Sequence, residues 1–359
     1  MNIAFNRLVE ESMKSYIYLS FFIIMSFLLG CAKEADRNSL EAQLEFVQTY
    51  PVIGDPVDFD VSDECIFVAE DEIGFSIFNR QSSELHLRAN EHNMLQIRNV
   101  PLVRYNNDFK MLFVVDRTNG HVLYAINVDT LHSSINDYPV KRIIGSAYNV
   151  RDIIFETIPD EDTKFKMYLT NFKFDENKNQ LMEGIYTYNS TLSNPLNMTP
   201  YSVPNSIFKI KSTNNHIFTA MGQRGIVIYD KTNLTEIHQI NTPGEARDMI
   251  INNNNIYVAD RQQGLQIIDI TDISNPILLE ASARLTNGFA SSIDISGRFL
   301  ALGSGSGGVY LYDISNPTTP ILIDHLDEDE IGYVHKILFF SNDLYISSKS
   351  HGIVRYQVQ

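Results

Sequence analysis

The sequence has no tryptophan, only two cysteines, and no apolar stretch long enough to cross a bilayer as a helix. Its longest mostly apolar run, residues 16–29, is well short of the ~20 residues such a helix needs. Without tryptophan, no repeat motif built on that residue is present. Basic residues are scarce, with 28 Lys and Arg against 44 Asp and Glu and a formal net charge of −16. Arg7 and Lys14 cancel Glu10 and Glu11, so the remainder of the chain keeps the whole acidic balance. Such a surface repels phosphate backbones, and no basic block offsets it, which excludes a nucleic-acid role. The chain also lacks Gly-x-Ser-x-Gly, His-Glu-x-x-His and the Asp-x-Asp-x-Asp spacing of a calcium loop. At 44% hydrophobic and 20% charged residues, it still has enough apolar material for a sizeable core.

The first thirty residues carry the sharpest local signal. Lys14 precedes the apolar run, which ends in Leu28, Leu29, Gly30 and Cys31. A run of this length fits the apolar region of a secretory signal. Its end resembles a bacterial lipobox: an aliphatic residue three before the cysteine, a small one just before it, then Cys. Leu29 departs from the small or β-branched residue commoner at its position. The resemblance implies that 1–30 is a lipoprotein signal peptide and that Cys31 carries a diacylglyceryl thioether, an anchor to the membrane. An uncleaved membrane anchor and an ordinary secretory signal are the alternatives. Glu10 and Glu11 sit unusually far upstream, and Met13 is an alternative start. Residues 31–42 then read as the lipidated cysteine and a short polar tether, and 43–359 as one folded unit. Cys65, in the apolar run 65–68, reads as a buried structural thiol. These features predict a bacterial cell-envelope protein. Ala32 is not the aspartate that retains lipoproteins in the inner membrane, which points to the outer membrane if the source is Gram-negative.

The rest of the chain is a repeat. NNNIYVADRQQGLQIIDITDISNPILL from Asn253, GRFLALGSGSGGVYLYDISNPTTPILI from Gly297 and SNDLYISSKSHGIVRYQV from Ser341 share one pattern. Each has a polar turn, an apolar run, a polar loop closed by glycine, and a second alternating run. Weaker copies extend back toward residue 51. The loop-closing glycines are Gly74, Gly120, Gly184, Gly225, Gly264, Gly308 and Gly352, spaced 46, 64, 41, 39, 44 and 44 apart. Seven residues before them stand Phe67, Phe113, Phe218, Tyr257, Ala301 and Tyr345, with the third copy breaking the rule. Strand-forming residues and frequent polar turns make each unit β, and a ~45-residue unit of four short strands is a propeller blade. The expectation is an all-β, seven-bladed β-propeller. The last copy ends after its third strand, so residues 43–50 should supply the missing outer strand and close the ring.

The residues from Ala246 through Asp260 and from Gly264 to Pro276 resemble the LVIVD repeat of bacterial and archaeal surface proteins, as do residues 308–323. The likeness is good over 243–359 and fades toward residue 51. It implies a propeller and a surface location but no defined activity. The missing tryptophan argues against WD-repeat and quinoprotein propellers.

Propellers bind ligands at the mouth of their central channel, where this register places Arg117, Arg151, Arg224, Arg247, Arg261 and Lys349, with His335 and His351 in the last copy. A cationic ring on an acidic protein would select an anionic ligand or an acidic envelope partner, because arginine grips carboxylates and phosphates bidentately. The competing reading makes the recurring Arg-Asp pairs structural salt bridges, which leaves Arg224 and Lys349 as the better binding candidates. His335 and His351 would face one another or stand solvated. Asp116, Asp152, Asp248 and Asp260 could converge on Ca²⁺ in a metal-assisted hydrolase or lactonase-like enzyme. The favoured expectation is a non-catalytic binding or scaffold module without a cofactor. The stretched third copy places a longer loop, KFDENKNQLME, beside the mouth, either as a lid or as a solvated insertion. Residues 327–330 (DEDE) read as a solvated loop, and 303–308 (GSGSGG) as a tight hairpin.

Overall fold

The computed structural model describes residues 42–89, 97–118, 121–144, 150–158, 164–173, 178–187, 199–203 and 205–359. The leader, Cys31 and the tether up to residue 41 lie outside them. The described residues form seven four-stranded antiparallel sheets, the β-propeller architecture that the repeat predicts. In the fifth sheet, Asp248–Asn252, Asn255–Ala259, Leu265–Asp269 and Ile277–Leu278 lie side by side in chain order. The first strands of the others are Asp58–Val61, Leu102–Asn106, Ile153–Thr157, Lys209–Ser212, Ser292–Ser296 and Val334–Phe340. In the last sheet the outer position belongs to Leu44–Tyr50, which pairs antiparallel with Gly352–Val358 from Leu44 opposite Val358 to Tyr50 opposite Ile353.

Both faces of each sheet pack against a neighbour, which explains strands such as Leu265–Asp269 that are buried along nearly their whole length. Tyr257, Leu300, Leu302, Tyr310 and Tyr312 form one apolar cluster between the fifth and sixth sheets. Tyr50, Phe59, Phe78 and Tyr345 form another that joins the last sheet to the first. Cys65 is a buried free thiol, and burial pushes its pKa up to about 12, so it packs as an apolar residue.

The aromatic positions read from the repeat fall on second strands. Phe67 opposes Ile77, Phe218 opposes Ile228, Tyr257 opposes Ile267 and Tyr345 opposes Arg355. Gly225, Gly264, Gly308 and Gly352 close the following loops with φ of 70°, 68°, 77° and 78°. A Cβ there would also strike a backbone carbonyl at the end of the sheet's outer strand or just beyond it: Ile240, Arg284, Leu326 and Tyr50 respectively. Glycine is needed at these points for both reasons. At the other end of several third strands, an Asp or Asn turns the chain. Asp230, Asp269 and Asp313 each accept a hydrogen bond through Oδ1 from the backbone N–H two residues on, at 2.8, 2.7 and 2.7 Å.

The third copy differs from its expected form. Gly184 does not close a loop; it lies within a strand opposite Met167. The extra residues lengthen the hairpin itself, Lys164–Lys173 against Lys178–Thr187, with Lys173 opposite Lys178. Backbone pairing continues where a loop was expected, and the tip at 174–177 lies outside the described residues. Residues 327–330 are likewise not plain loop. Asp327 accepts from the Asp329 and Glu330 amides, and the Glu330 side chain returns to the Asp327 N–H, capping the short helix Glu328–Ile331. The 303–308 segment is a hairpin, with Gly303 opposite Val309. Among the described residues no helix is long and apolar enough to cross a membrane.

Candidate functional site

The loops entering the first strands and those between second and third strands share one end of the propeller. There a cavity of about 160 Å³ is lined by Asp58, Leu102, Arg151, Lys209, Asp248, Ser292 and Lys336, one residue at or leading into the first strand of each sheet. This is the channel mouth.

Beneath it runs a buried ionic chain. Lys336 Nζ donates to Asp58 Oδ1 at 2.8 Å, Arg104 bridges Asp58 at 2.6 Å and Asp152 at 2.8 Å, and Lys209 lies 3.7 Å from Asp152 and 3.9 Å from Asp248. Three carboxylates face three cations, so the chain is self-neutralising. Burial alone would raise the Asp152 pKa, but Lys209 and Arg104 overcome it and bring it down to about 2. Burial disfavours the charged form of Lys209, yet Asp152 and Asp248 prevail and raise its pKa. Lys336 goes the other way, lowered by burial and by Arg104.

The same carboxylates clasp neighbouring sheets. The N–H of Val103 donates to Asp58 Oδ2 at 3.0 Å, that of Ile210 to Asp152 Oδ2 at 3.0 Å, and that of Ile293 to Asp248 Oδ2 at 3.2 Å. Ser292 Oγ accepts from Ile337 N–H at 3.0 Å in the equivalent place. Each group satisfies a backbone donor on the next sheet's inner strand, which has no further strand to pair with. A second acid position, just after the second strand, holds the entering loop. Asp260 accepts from Thr242 Oγ1 at 2.8 Å and from Gly244 N–H at 2.7 Å, and burial raises its pKa. Asp116 accepts from the N–H groups of Asn99 and Thr118, and Glu70 from those of Ile53 and Gly54.

The four aspartates named as alternative metal ligands are thus divided between two structural roles, each with its own partners. No cluster of three His, Cys, Asp or Glu suited to a metal occurs among the described residues.

The arginines separate in the same way. Arg224 does not join a ring at the mouth. Its guanidinium reaches outward to Glu236 at 2.9 Å and to Gln239 on the outermost strand. Lys349 is 65% exposed and 3.9 Å from Asp55. His335 Nε2 contacts Asp55 Oδ1 at 2.7 Å, whereas His351 Nδ1 lies near Ser350 Oγ and the Ile331 carbonyl. The two histidines therefore have separate partners.

Arg151 and Arg247 do come together, with guanidinium carbons 4.2 and 4.1 Å from the centre of the Phe208 ring. Their Asp neighbours point elsewhere, so neither Arg-Asp dipeptide is an internal salt bridge. Arg247 shares Glu245 with Arg261, which lies over Phe289 at 4.9 Å. Arg151 has no carboxylate within ion-pairing distance among the described residues. Its pKa is lowered by burial and by the neighbouring cations Arg247 and Arg117. Arg117 is lowered by burial, with Asp71 as the opposing influence. Phe208, which organises the arginine pair, was not legible as a site residue. Its signal was an aromatic at the mouth-side entry to a first strand, a place Tyr333 also holds before Val334–Phe340.

The chain carries two tandem LVIVD repeats, matched at residues 243–282 and 287–327. No curated protein matches it in sequence. Among solved structures it is similar to the WD40 β-propeller domain of Doa1, at 12% identity and a TM-score of 0.63, over 88% of this chain and 96% of that one. It is similar to the Cps50 (Swd1) β-propeller domain of Myceliophteria thermophila at 11% identity and 0.63, over 88% and 100%. It also resembles the computationally designed Ika8 protein at 9% identity and 0.61, over 88% and 99%. At such identities the likeness concerns the fold alone. The propeller fold is reached here without tryptophan.

Proposed function

We propose that this protein is a lipid-anchored, non-catalytic binding module of the bacterial cell envelope. In this reading it is a seven-bladed ring, closed by the strand Leu44–Tyr50, that engages an envelope partner or an anionic ligand at its channel mouth. The observation that carries the binding proposal is Arg151, a partly buried cation without an anionic partner among the described residues, which shares the Phe208 ring with Arg247 on a protein of net charge −16. An arrangement of this kind costs stability unless an anion completes it. The seven sheets and the pairing of Leu44–Tyr50 with Gly352–Val358 support the closed ring. The lipobox-like residues ending at Cys31 support the anchor.

Strand polarity adds an orientation. Leu44 lies at the end opposite the mouth and Tyr50 at the mouth side, where the chain runs into the loop holding Asp55.

Two measurements test the proposal. Cys31→Ser should move the protein from the membrane to the soluble fraction, and an unchanged distribution would overturn the anchor. A photo-crosslinker at Lys349, by the mouth, should capture a partner or ligand in native envelopes that one at Arg298, in a hairpin at the opposite end, does not. Equal capture at both positions, or at neither, would overturn mouth binding.

A further inference from the structure

The charges at the mouth point to one ligand class. The inner chain Asp58, Asp152, Asp248, Arg104, Lys209 and Lys336 is neutral as a set, with every member in contact with an opposite charge. Above it, Arg247 and Arg261 share the single carboxylate of Glu245 and retain one positive charge between them. Arg151 has no carboxylate within ion-pairing distance among the described residues. Arg117 lies near Asp71, His335 and Lys349 both contact Asp55, and the buried carboxylates of Asp116 and Asp260 stand at the same end with N–H and O–H donors as partners.

Two arginines therefore meet one ring, Arg151 without a carboxylate partner among the described residues and Arg247 sharing Glu245 with Arg261. Arg151 and Arg247 lie over the same Phe208 ring, so their guanidinium carbons can be no farther apart than the sum of their distances to its centre. Stacking on the ring fixes the planes of both groups; Arg247 gives one terminal nitrogen to Glu245 and keeps a buried Nε without a partner among the described residues. The Lys209 ammonium is on the same cavity wall.

We propose that this site binds a phosphomonoester: a compact dianion whose three terminal oxygens accept from the Arg151 and Arg247 forks. This deepens the mouth-binding reading and rests on it. One compact dianion matches a mouth of about 160 Å³ with guanidiniums on one ring better than two separate carboxylates do. A soluble phosphorylated ligand and a phosphorylated lipid headgroup offer the same chemistry from different sources.

The test is calorimetry on the purified full-length chain in detergent at fixed ionic strength. Inorganic phosphate, a sugar phosphate, sulfate and citrate are titrated separately, and vesicles with and without phosphatidic acid are added in parallel. Saturable, stoichiometric binding of the sugar phosphate is expected, tighter than sulfate and citrate. Arg151→Ala should weaken it about 10- to 100-fold, and Arg151→Lys, which keeps charge but loses the fork, should fall between. Arg298→Ala, in an exposed pair at the far end, should leave it unchanged. Thermal melts of the variants separate lost affinity from lost fold.

Tighter citrate binding would overturn the phosphomonoester in favour of paired carboxylates. Binding that ignores Arg151→Lys and Arg151→Ala, or no saturable binding of any phosphate, would overturn the site. Selective capture of phosphatidic-acid vesicles without soluble binding would overturn the soluble source while keeping the chemistry. Failure here with mouth-specific crosslinking intact would sink the ligand class and leave the binding module standing.

Discussion

The carboxylate of Asp248 accepts a hydrogen bond from the backbone N–H of Ile293, 45 positions on, at 3.2 Å. Asp58 does the same for Val103, also 45 positions on, at 3.0 Å, and Asp294 for Phe339 at 2.7 Å. One repeat length thus separates an inner-strand carboxylate from the donor it satisfies on the neighbouring sheet. The inner strands have an unpaired edge facing the channel, and these side chains complete it. The recurrence of aspartate at the mouth is explained by sheet-to-sheet attachment before any ligand is considered.

Removing one of these carboxylates should be costly because it strands cations as well as a backbone donor. Asp152 is held by Arg104 and Lys209 and is 1% exposed. Asp152→Ala should destabilise the fold by about 3–5 kcal/mol, read from the midpoint of urea unfolding. A change of less than about 1 kcal/mol would mean the chain is not coupled to folding.

The same residue sets an acid limit. Its folded pKa is depressed to about 2, below the ~3.9 of an unfolded aspartate. Its contribution is therefore fully present above about pH 4 and is lost as pH falls through about 2. Unfolding midpoints measured from pH 5 to pH 2 should decline below pH 4, and Asp152→Ala should flatten that decline.

The N-terminal strand should be structural rather than ornamental. Tyr50 is fully buried, edge-on to Phe78 with ring centres 6.2 Å apart and beside Tyr345. The Leu44 N–H donates to Asp324 on the preceding sheet at 2.7 Å. Tyr50→Ala should cost about 3–5 kcal/mol. Deleting 43–50 should bare the edge of Gly352–Val358 and produce self-association visible by light scattering.

Two glycines of positive φ should respond differently to substitution. Gly352 has φ 78° and its Cβ would come within 2.6 Å of the Tyr50 carbonyl, whereas Gly297 has φ 59° in open space. Gly297→Ala should cost about 1 kcal/mol from backbone strain alone. Gly352→Ala should cost clearly more, by differential calorimetry, because the outer strand must shift as well.

Arg224→Ala should remove only a surface ion pair and change stability by no more than about 1 kcal/mol. Arg224 was the better binding candidate on grounds of non-recurrence, yet its side chain runs outward along the sheet to Glu236. Position in a loop fixes where a Cα stands, not where a long side chain points. That is why the sequence ranked Arg224 above Arg151, whose recurrence with Arg247 concealed a shared contact on Phe208. The lengthened third hairpin was missed for a related reason. Its polar composition reads as loop, but pairing with Thr199–Val203 holds it in the sheet.

Local chemistry determined what the sequence alone could decide. The glycine spacing, the apolar residue seven upstream and the polar turns all act within one hairpin, where covalent neighbours dictate the turn. Those features made the β-propeller and its strand register readable, and the lipobox-like run is equally local. Only the tertiary structure decided which charges meet. Asp58 with Lys336, Asp152 with Lys209 and Arg151 with Arg247 are brought together from separate sheets around one axis. Whether a carboxylate clasps a backbone, neutralises a cation or leaves one free depends on that convergence, and no pattern along the chain encodes it.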